Sequence, residues 1–313
     1  MAIAVDEWLG LIRREYLQSY LPDGGSAVRF VVAPAEQVGD RVLHGLQQEA
    51  QASNLICVKI DAAATKLHML QNIFFAVGRE VDWDRVLQRR LELIVAESGY
   101  VWPEPGKRLG MPELAAANTV AKGLFQRQIS QQLTRAVWDD AAMAQDFRSA
   151  MLFLLDTRLD DSRDTLRDGL IGWLTGRLRR LTEVKEARIG AKIGRHNARV
   201  MLKSLCHWLR SCEAPGMLIL IDIRQLLKER RDIRDGIVYT PAAVLDVYEV
   251  LRQTIDDASE LEGVFVAVIA DGGLLDSGSR RSLDRYAALH MRVRNDVRPE
   301  QGDNPLAPLV ELQ

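Results

Sequence analysis

The sequence has few cysteines and aromatic residues, and it contains no long apolar run. Its three cysteines, Cys57, Cys206 and Cys212, are too few and too irregularly spaced for a disulfide framework or a zinc site. No stretch approaches the ~20 apolar residues that are needed to span a bilayer. The first residues also lack the basic region of a secretory signal. We therefore expect a cytoplasmic protein with no membrane segment and no metal site.

Sequence patterns of common hydrolases are missing as well. Neither G-x-S-x-G nor H-E-x-x-H occurs, so the usual nucleophile and zinc-protease arrangements are excluded. The 313 residues, of which 47% are hydrophobic and 27% charged, have the composition of a globular protein. A chain of this length is long enough for one large domain or two ordinary ones.

Apolar runs predict the strands of a parallel sheet. The runs cover residues 28–32, 55–60, 217–221 and 264–269, with a weaker fifth at residues 290–293. Two of them, 217–221 and 264–269, are continuously apolar, which is typical of parallel strands covered by helices on both faces. A helix predicted at residues 40–50 joins the first two runs into a βαβ unit. The pattern indicates an α/β fold in which helices flank a parallel sheet.

About half of the chain separates the second predicted strand from the third, and nearly all of it has helical periodicity. The helices are predicted at residues 67–77, 86–95, 115–136, 146–155 and 164–181, and another follows at 195–210. We infer a large all-helical insertion at residues 79–194. Residues 1–78 then form an N-terminal helix and the first half of the α/β core, and residues 195–313 form its second half.

The segment after the first strand lies where a phosphate-binding loop would be expected. The pattern G-x-x-x-x-G-K-[ST] aligns with residues 34–41, where Gly39 matches but Asp40 and Arg41 replace the Lys and the Ser or Thr. In a working loop the Lys reaches the phosphates and the hydroxyl holds magnesium. Because the Asp40 carboxylate would repel a triphosphate, we expect a poor nucleotide site and no bound cofactor. An ordinary strand-to-helix turn is the alternative interpretation.

The third predicted strand ends in Asp222, followed by Ile223. An active ATPase of the AAA+ type places a Glu at this second position to polarise the attacking water, and isoleucine has no acceptor for that task. We interpret Gly39, Asp40, Arg41 and Asp222 as a vestigial nucleotide site with no catalytic residue. The rival hypothesis is an ATPase that binds ATP and magnesium in an unusual way, with Arg29 or Arg41 on the phosphates.

Residues 193–205 (IGRHNARVMLKSL) and 216–222 (GMLILID) resemble the BREX-system ATP-binding proteins of the BrxD type. The resemblance extends from residue 28 to the end of the chain. It implies an AAA+ P-loop-like core that acts in anti-phage defence, commonly encoded beside a DNA helicase. The family has Lys and Ser or Thr at the positions of Asp40 and Arg41, and Asp-Glu at the position of Asp222-Ile223. These departures predict a non-catalytic subunit that works through a helicase or an active AAA+ ATPase, with its oligomeric state left open.

Residues 177–203 hold nine basic side chains against two acidic ones, in a chain whose net charge is −2. Such a segment fits the backbone of double-stranded DNA or the surface of an acidic partner, and a solvated helix face explains it too. Aromatic residues are too sparse here for base stacking. The candidate contact residues are Arg177, Arg179, Arg180, Lys185, Arg188, Lys192, Arg195 and Arg199.

Three arginines, Arg280, Arg281 and Arg285, precede the last predicted strand. AAA+ proteins often place an arginine in this region that reaches the nucleotide of a neighbouring subunit. The chain would then complete the site of another ATPase while its own site is inactive. For each arginine taken singly, a surface salt bridge is the simpler interpretation.

Overall fold

The computed structural model describes residues 3–160, 163–294 and 304–313. The chain divides into two compact units. Met1–Ala76 and Pro215–Gln313 form the first, which we call the sheet unit, and Val77–Ala214 form the second, which we call the helical unit.

The first part of the sheet unit alternates helices and strands. Its elements are α1 (Val5–Ile12), a π-helical continuation of α1 (Arg13–Tyr20), β1 (Ala27–Ala33), α2 (Glu36–Ala52), β2 (Ile56–Asp61) and α3 (Leu70–Glu80), which runs into the helical unit. Both strands lie where apolar runs predicted them. Helix α2, however, begins four residues before the predicted start at residue 40.

The described residues of the helical unit form helices and loops and no strand. The helices are α4 (Trp83–Glu97), α5 (Met111–Ala117), α6 (Lys122–Leu133), α7 (Gln145–Leu159), α8 (Asp164–Thr175) and α9 (Ala198–Ser211). The single helix predicted at residues 115–136 is divided, because Thr119 has a φ of +55°, which no α-helix accommodates. Helix α8 ends at Gly176, whose left-handed conformation terminates it before the predicted residue 181. Helix α9 belongs to this unit, whereas the sequence placed residues from 195 onward in the core.

The chain then returns to the sheet unit. The remaining elements are β3 (Met217–Asp222), a short helix α10 (Arg224–Leu227), α11 (Pro241–Asp256), β4 (Val264–Asp271), α12 (Ala287–Val293) and β5 (Leu309–Glu311). The prediction of a strand at residues 290–293 was wrong, because these residues belong to α12. They follow Ala287, Ala288 and Leu289, which are strong helix formers, and a run of four residues has too little periodicity to outweigh them.

The five strands form one parallel sheet in the order β2-β3-β4-β1-β5. Strand β3 is buried at every position and β4 at all but its last residue, as their continuous apolar runs predict. Trp8 of α1 and Leu46 of α2 belong to a core cluster with Leu220 and Phe265 of the sheet. The alternate strand residues, such as Ile219, are buried too, so both faces of the sheet are covered. Each such side chain contributes about 1.5–3 kcal/mol by burial.

The register of the strands brings their carboxyl ends to one edge. Asp61 at the end of β2 pairs with Asp222 of β3, which lies opposite Ile269 of β4. On the other side of β4, Asp271 pairs with Ala33 of β1. Parallel pairing therefore collects acidic residues from three strands, β2, β3 and β4, at the same edge.

None of the helices among the described residues is both long enough and apolar enough to cross a membrane.

Candidate functional site

A cleft of about 790 Å³ opens at the carboxyl edge of the sheet. Its lining includes Pro34 after β1, Asp61 at the end of β2, Asp222 at the end of β3 and Asp271 at the end of β4. In open parallel sheets, ligands bind outside this edge of the strands. We call this feature the acidic cleft and treat it as the candidate site.

The turn between β1 and α2 contains only two residues, Pro34 and Ala35. Gly39, Asp40 and Arg41 consequently lie within α2 rather than in a loop. The backbone N–H groups of Val38 and Gly39 both donate to the carbonyl of Ala35, at 3.1 and 3.2 Å. A phosphate-binding loop needs several free N–H groups that converge on one point. This turn is too short to provide them, and the N–H groups of Val38 and Gly39 in the first turn of α2 are already bonded.

The guanidinium of Arg224 occupies the space between the end of β3 and the first turn of α2. Its Nε donates to Asp222 Oδ1 at 3.0 Å, and its Nη2 donates to Asp222 Oδ2 at 2.7 Å. The same Nη2 donates to Asp40 Oδ1 at 2.8 Å, and Nη1 donates to the carbonyl of Glu36 at 2.9 Å. One planar cation thus ties two carboxylates and a helix carbonyl together, and the bidentate contact with Asp222 is the strong form of such a pair.

The pair of Arg224 and Asp222 is largely shielded from water. The side chains of Asp222 and Arg224 are 9% and 14% exposed, whereas that of Asp40 is 62% exposed. Hydrogen bonds to Asp222 raise the pKa of Arg224 further above its ordinary value, so the guanidinium stays charged. Asp271 lies in the same cleft, and burial raises the pKa of its carboxyl group. Asp222 and Arg224 therefore form a buried pair in the cleft, and Asp40 is the exposed partner of Arg224.

Gly39, the one glycine that matches the phosphate-loop pattern, makes room for Arg224. A Cβ atom at this position would lie 2.7 Å from Arg224 Nη1, closer than real Cβ contacts allow. The glycine is thus explained by the close approach of a guanidinium to α2.

Acidic side chains dominate the lining of the cleft. Two basic side chains, Arg224 and Lys228, stand against seven acidic ones. The acidic residues are Glu36, Asp61, Asp222, Glu229, Asp232, Asp271 and Asp276. Within the described part of the chain, no group of three or more His, Cys, Asp or Glu side chains has the geometry to hold a metal ion.

Ile223, which follows Asp222, is fully buried. Its backbone N–H donates to the carbonyl of Ile269 at 2.8 Å and so extends the pairing of β3 with β4. An apolar, buried side chain has no contact with the water of the cleft. The position therefore has a structural role in the sheet.

The two arginines that were considered as alternative phosphate ligands point elsewhere. The guanidinium of Arg29 lies 4.8 Å from the ring centre of Tyr16 and donates to the carbonyl of Val28. Arg41 pairs with Asp6 of α1 at 3.3 Å. Neither residue lines the acidic cleft.

The predicted contact residues of the basic segment belong to the helical unit. All eight side chains are exposed: Arg177, Arg179, Arg180, Lys185, Arg188, Lys192, Arg195 and Arg199. The segment is largely irregular, with a 3₁₀ helix at Leu181–Ala187, and Arg199 lies in the first turn of α9. The Nζ of Lys192 donates to the carbonyls of Leu178 and Arg179, at 3.0 and 2.8 Å.

The three arginines near α12 have different environments. Arg281 is buried, and its Nη1 and Nη2 donate to the carbonyls of Leu226 and Tyr239. Arg285 is exposed, but its guanidinium donates to the carbonyls of Ser279 and Ser277. Arg280 is exposed and has no bonding partner among the described residues. Only Arg280 thus presents a guanidinium that is available to another molecule.

Arg224 is the residue that sequence reasoning missed. The signal for it is the spacing Asp222-Ile223-Arg224, in which an arginine follows the acidic strand end by two residues. Such a spacing permits a contact with Asp222, but it does not reveal the contact with Asp40, which lies 184 residues away in the chain.

The fold and the cleft define an α/β protein with a P-loop-like parallel sheet. Residues 111–313 match the family described as BREX system ATP-binding protein BrxC/D. Because the match covers well over half of the chain, this protein belongs to that family. The matched range starts after the β1–α2 turn, whereas the sequence resemblance was expected to start at residue 28. Comparisons with curated proteins and with solved structures find no match.

Proposed function

We propose that this chain is a non-catalytic AAA+-like subunit of a BREX anti-phage defence complex, which acts through a partner ATPase or helicase. Membership of the BREX family supports the system, and the parallel sheet supports the ATPase-type fold. The strand order supports an AAA+ relationship, since β1 and β3 flank β4 and their carboxyl ends face one cleft. The proposal includes a large helical insertion in the α/β core, and the compact helical unit at residues 77–214 supports it.

The single observation that carries the non-catalytic assignment is the engagement of Arg224. In a working ATPase of this type, the acidic end of the third strand faces magnesium and a Lys on the first helix reaches the phosphates. Here the corresponding residues, Asp222 and Asp40, both bind the same guanidinium. The carboxylates of Asp222 and Asp40 are therefore neutralised by Arg224 and do not face a ligand.

The residues present do not fit ATP with magnesium. The two-residue turn after β1 offers no cradle for phosphates, and the cleft has seven acidic side chains against two basic ones. Two like charges 4 Å apart repel by about 1 kcal/mol in water and about 4 kcal/mol near a protein surface. A triphosphate carries several such charges, so the cleft disfavours it.

We expect the purified chain to show no ATP hydrolysis and no saturable heat with ATP and magnesium up to millimolar concentrations. The measurements are phosphate release and isothermal calorimetry. Asp222→Ala and Asp232→Ala are the paired variants, because Asp232 lines the same cleft but is exposed. Hydrolysis that is lost in Asp222→Ala and kept in Asp232→Ala would show that the proposal is wrong.

The same calorimetry tests the rival hypothesis of an unusual ATP site. Within the lining of the cleft, Arg224 and Lys228 are the cations that could meet a phosphate. ATP binding in the wild-type chain that disappears in Arg224→Ala would establish that alternative, with Arg224 leaving Asp222 for the nucleotide.

A contact with an active partner is assigned to Arg280, because its guanidinium is exposed and without a partner among the described residues. We expect the chain to raise the ATP hydrolysis rate of the ATPase or helicase encoded beside it. Arg280→Ala should lower that stimulated rate at least about ten-fold, since an arginine supplied in trans contributes far more than this in known cases. Arg231→Ala is the control, because this side chain is 86% exposed. Equal rates with both variants would exclude Arg280 as the trans arginine.

A further inference from the structure

The helical unit presents exposed cations that no acidic side chain of the described residues neutralises. Six basic residues form no ion pair with any carboxylate in the described part of the chain. They are Arg177, Arg179, Arg180, Lys185, Arg188 and Arg195. Arg177 donates from Nε to Thr175 Oγ1, which leaves its charge uncompensated. We call these six residues the basic surface.

The carboxylates of the two acidic residues within the segment do not contact the charged groups of the basic surface. Glu183 accepts a hydrogen bond from the backbone N–H of Arg180 at 2.9 Å and so caps the 3₁₀ helix. Glu186 forms an ion pair with Arg163 at 2.6 Å. Because neither carboxylate pairs with a cation of the basic surface, the positive potential of the surface is retained.

The basic surface is built on an ordered segment. Lys192 Nζ joins the two ends of the segment by its bonds to the carbonyls of Leu178 and Arg179. Trp173 Nε1 donates to the carbonyl of Ala191 at 2.9 Å, and Ser149 Oγ donates to the carbonyl of Ala187 at 2.5 Å. These bonds hold the backbone at both ends and in the middle, so the basic side chains project from an anchored segment.

Packing fixes which side of the segment faces water. Val184, Ala187, Ile189 and Ile193 are buried, and the basic residues between them in the chain are exposed. Gly169 of α8 permits the close approach, because a Cβ at that position would lie 2.9 Å from the carbonyl oxygen of Glu183. The segment therefore directs its apolar side chains inward and its cations outward.

The geometry points to a binding surface for the sugar-phosphate backbone of duplex DNA, without sequence preference. Five of the six cations are arginines, whose planar guanidinium matches phosphate oxygens. The segment from residue 177 to 199 contains no Phe, Tyr or Trp, so it lacks the large aromatic platforms on which the bases of a single strand stack. It also lacks the aromatic anchors that protein interfaces use. A concentration of exposed cations on an anchored segment without Phe, Tyr or Trp suits a duplex backbone best.

A triple variant, Arg180→Ala, Lys185→Ala and Arg188→Gly, tests the proposal. Arg188 has a φ of +54°, a conformation that glycine adopts more readily than arginine. Arg188→Gly therefore removes a charge and relieves the backbone strain at this position. Lys192 is kept because its bonds hold the segment. The control is Lys122→Ala, Arg127→Ala and Arg135→Ala, which removes the same charge from exposed residues elsewhere in the helical unit.

The probe is a fluorescent 30-base-pair duplex, titrated with the full chain by anisotropy at several salt concentrations, with a 30-base single strand in parallel. Wild type and control should bind the duplex with a steep salt dependence. The triple variant should bind at least about ten-fold more weakly at low salt, with a salt slope smaller by up to about 3, one per lost phosphate contact.

Absence of duplex binding by the wild type at low salt, or equal binding by the two triple variants, would overturn the proposal. Binding of the single strand as tightly as the duplex would overturn the assignment to a duplex. Thermal melts establish that the variants fold. If the triple variant is unfolded, Lys185→Glu makes the same test, because this side chain is exposed and its reversal leaves the backbone unchanged.

Discussion

Replacement of Arg224 by alanine is expected to lower the free energy of unfolding by about 3 kcal/mol. The variant leaves the Asp222 carboxylate, whose side chain is only 9% exposed, without the cation that binds both of its oxygens. It also removes the link from β3 to Asp40 and to the Glu36 carbonyl on α2. Urea denaturation of the full chain, followed by circular dichroism, measures the loss.

The matched control is Arg231→Ala, since Arg231 is 86% exposed and its contact with Asp232 is 3.9 Å long. We expect a change of less than about 0.5 kcal/mol there. Arg224→Lys should fall between the two, because an ammonium keeps the charge but lacks the planar fork. Addition of Asp222→Asn to Arg224→Ala should recover part of the stability by removing the unpaired charge. Equal stabilities of Arg224→Ala and Arg231→Ala would contradict the central role of this guanidinium.

The second large effect is expected for Arg281→Met, which should destabilise the sheet unit by about 3 kcal/mol. Arg281 donates to the carbonyls of Leu226 and Tyr239, at 3.0 and 2.8 Å, and its side chain is only 4% exposed. Methionine fills a similar volume but leaves both buried carbonyls without a donor. The change should appear as a lower denaturation midpoint with an unchanged dependence on urea.

The neighbouring residue supplies the control for this experiment. Arg280 is exposed, and Arg280→Met should alter stability by less than about 0.5 kcal/mol. The pair also separates two roles that the sequence could not distinguish, because a loss of function in Arg281→Met would follow from unfolding and one in Arg280→Ala would not. A destabilisation of equal size in both variants would show that burial of Arg281 is not what stabilises this region.

Much of the sheet was predictable because buried parallel strands leave a strong local pattern. The continuously apolar runs that became β3 and β4 identified the fold class. Strand β5 was missed, since Leu309–Glu311 has only three residues and gains its conformation from pairing with β1. Such a strand depends on its neighbour more than on its own sequence.

The candidate site was predictable only in part. Asp222 and Gly39 were identified from their spacing relative to strands, and both lie where Arg224 meets α2. The length of the turn after β1 was not predicted, because α2 begins at Glu36 without a side-chain cap to mark its start. The different environments of Arg280 and Arg281 also depend on residues distant in the chain, which no local pattern reveals.

The sequence by itself determined the four longer strands of the sheet, the presence of Asp40 where the phosphate-loop pattern has Lys, and the concentration of basic residues near Arg188, since each is a local property. The tertiary structure decided how those residues combine. Parallel pairing brought Asp222 and α2 to one edge, where a single guanidinium could bind Asp222 and Asp40 together. Burial of alternate side chains turned a run of charges into an ordered surface. The physical reason is that hydrogen bonds and charge pairs form between atoms that are close in space, whatever their separation along the chain.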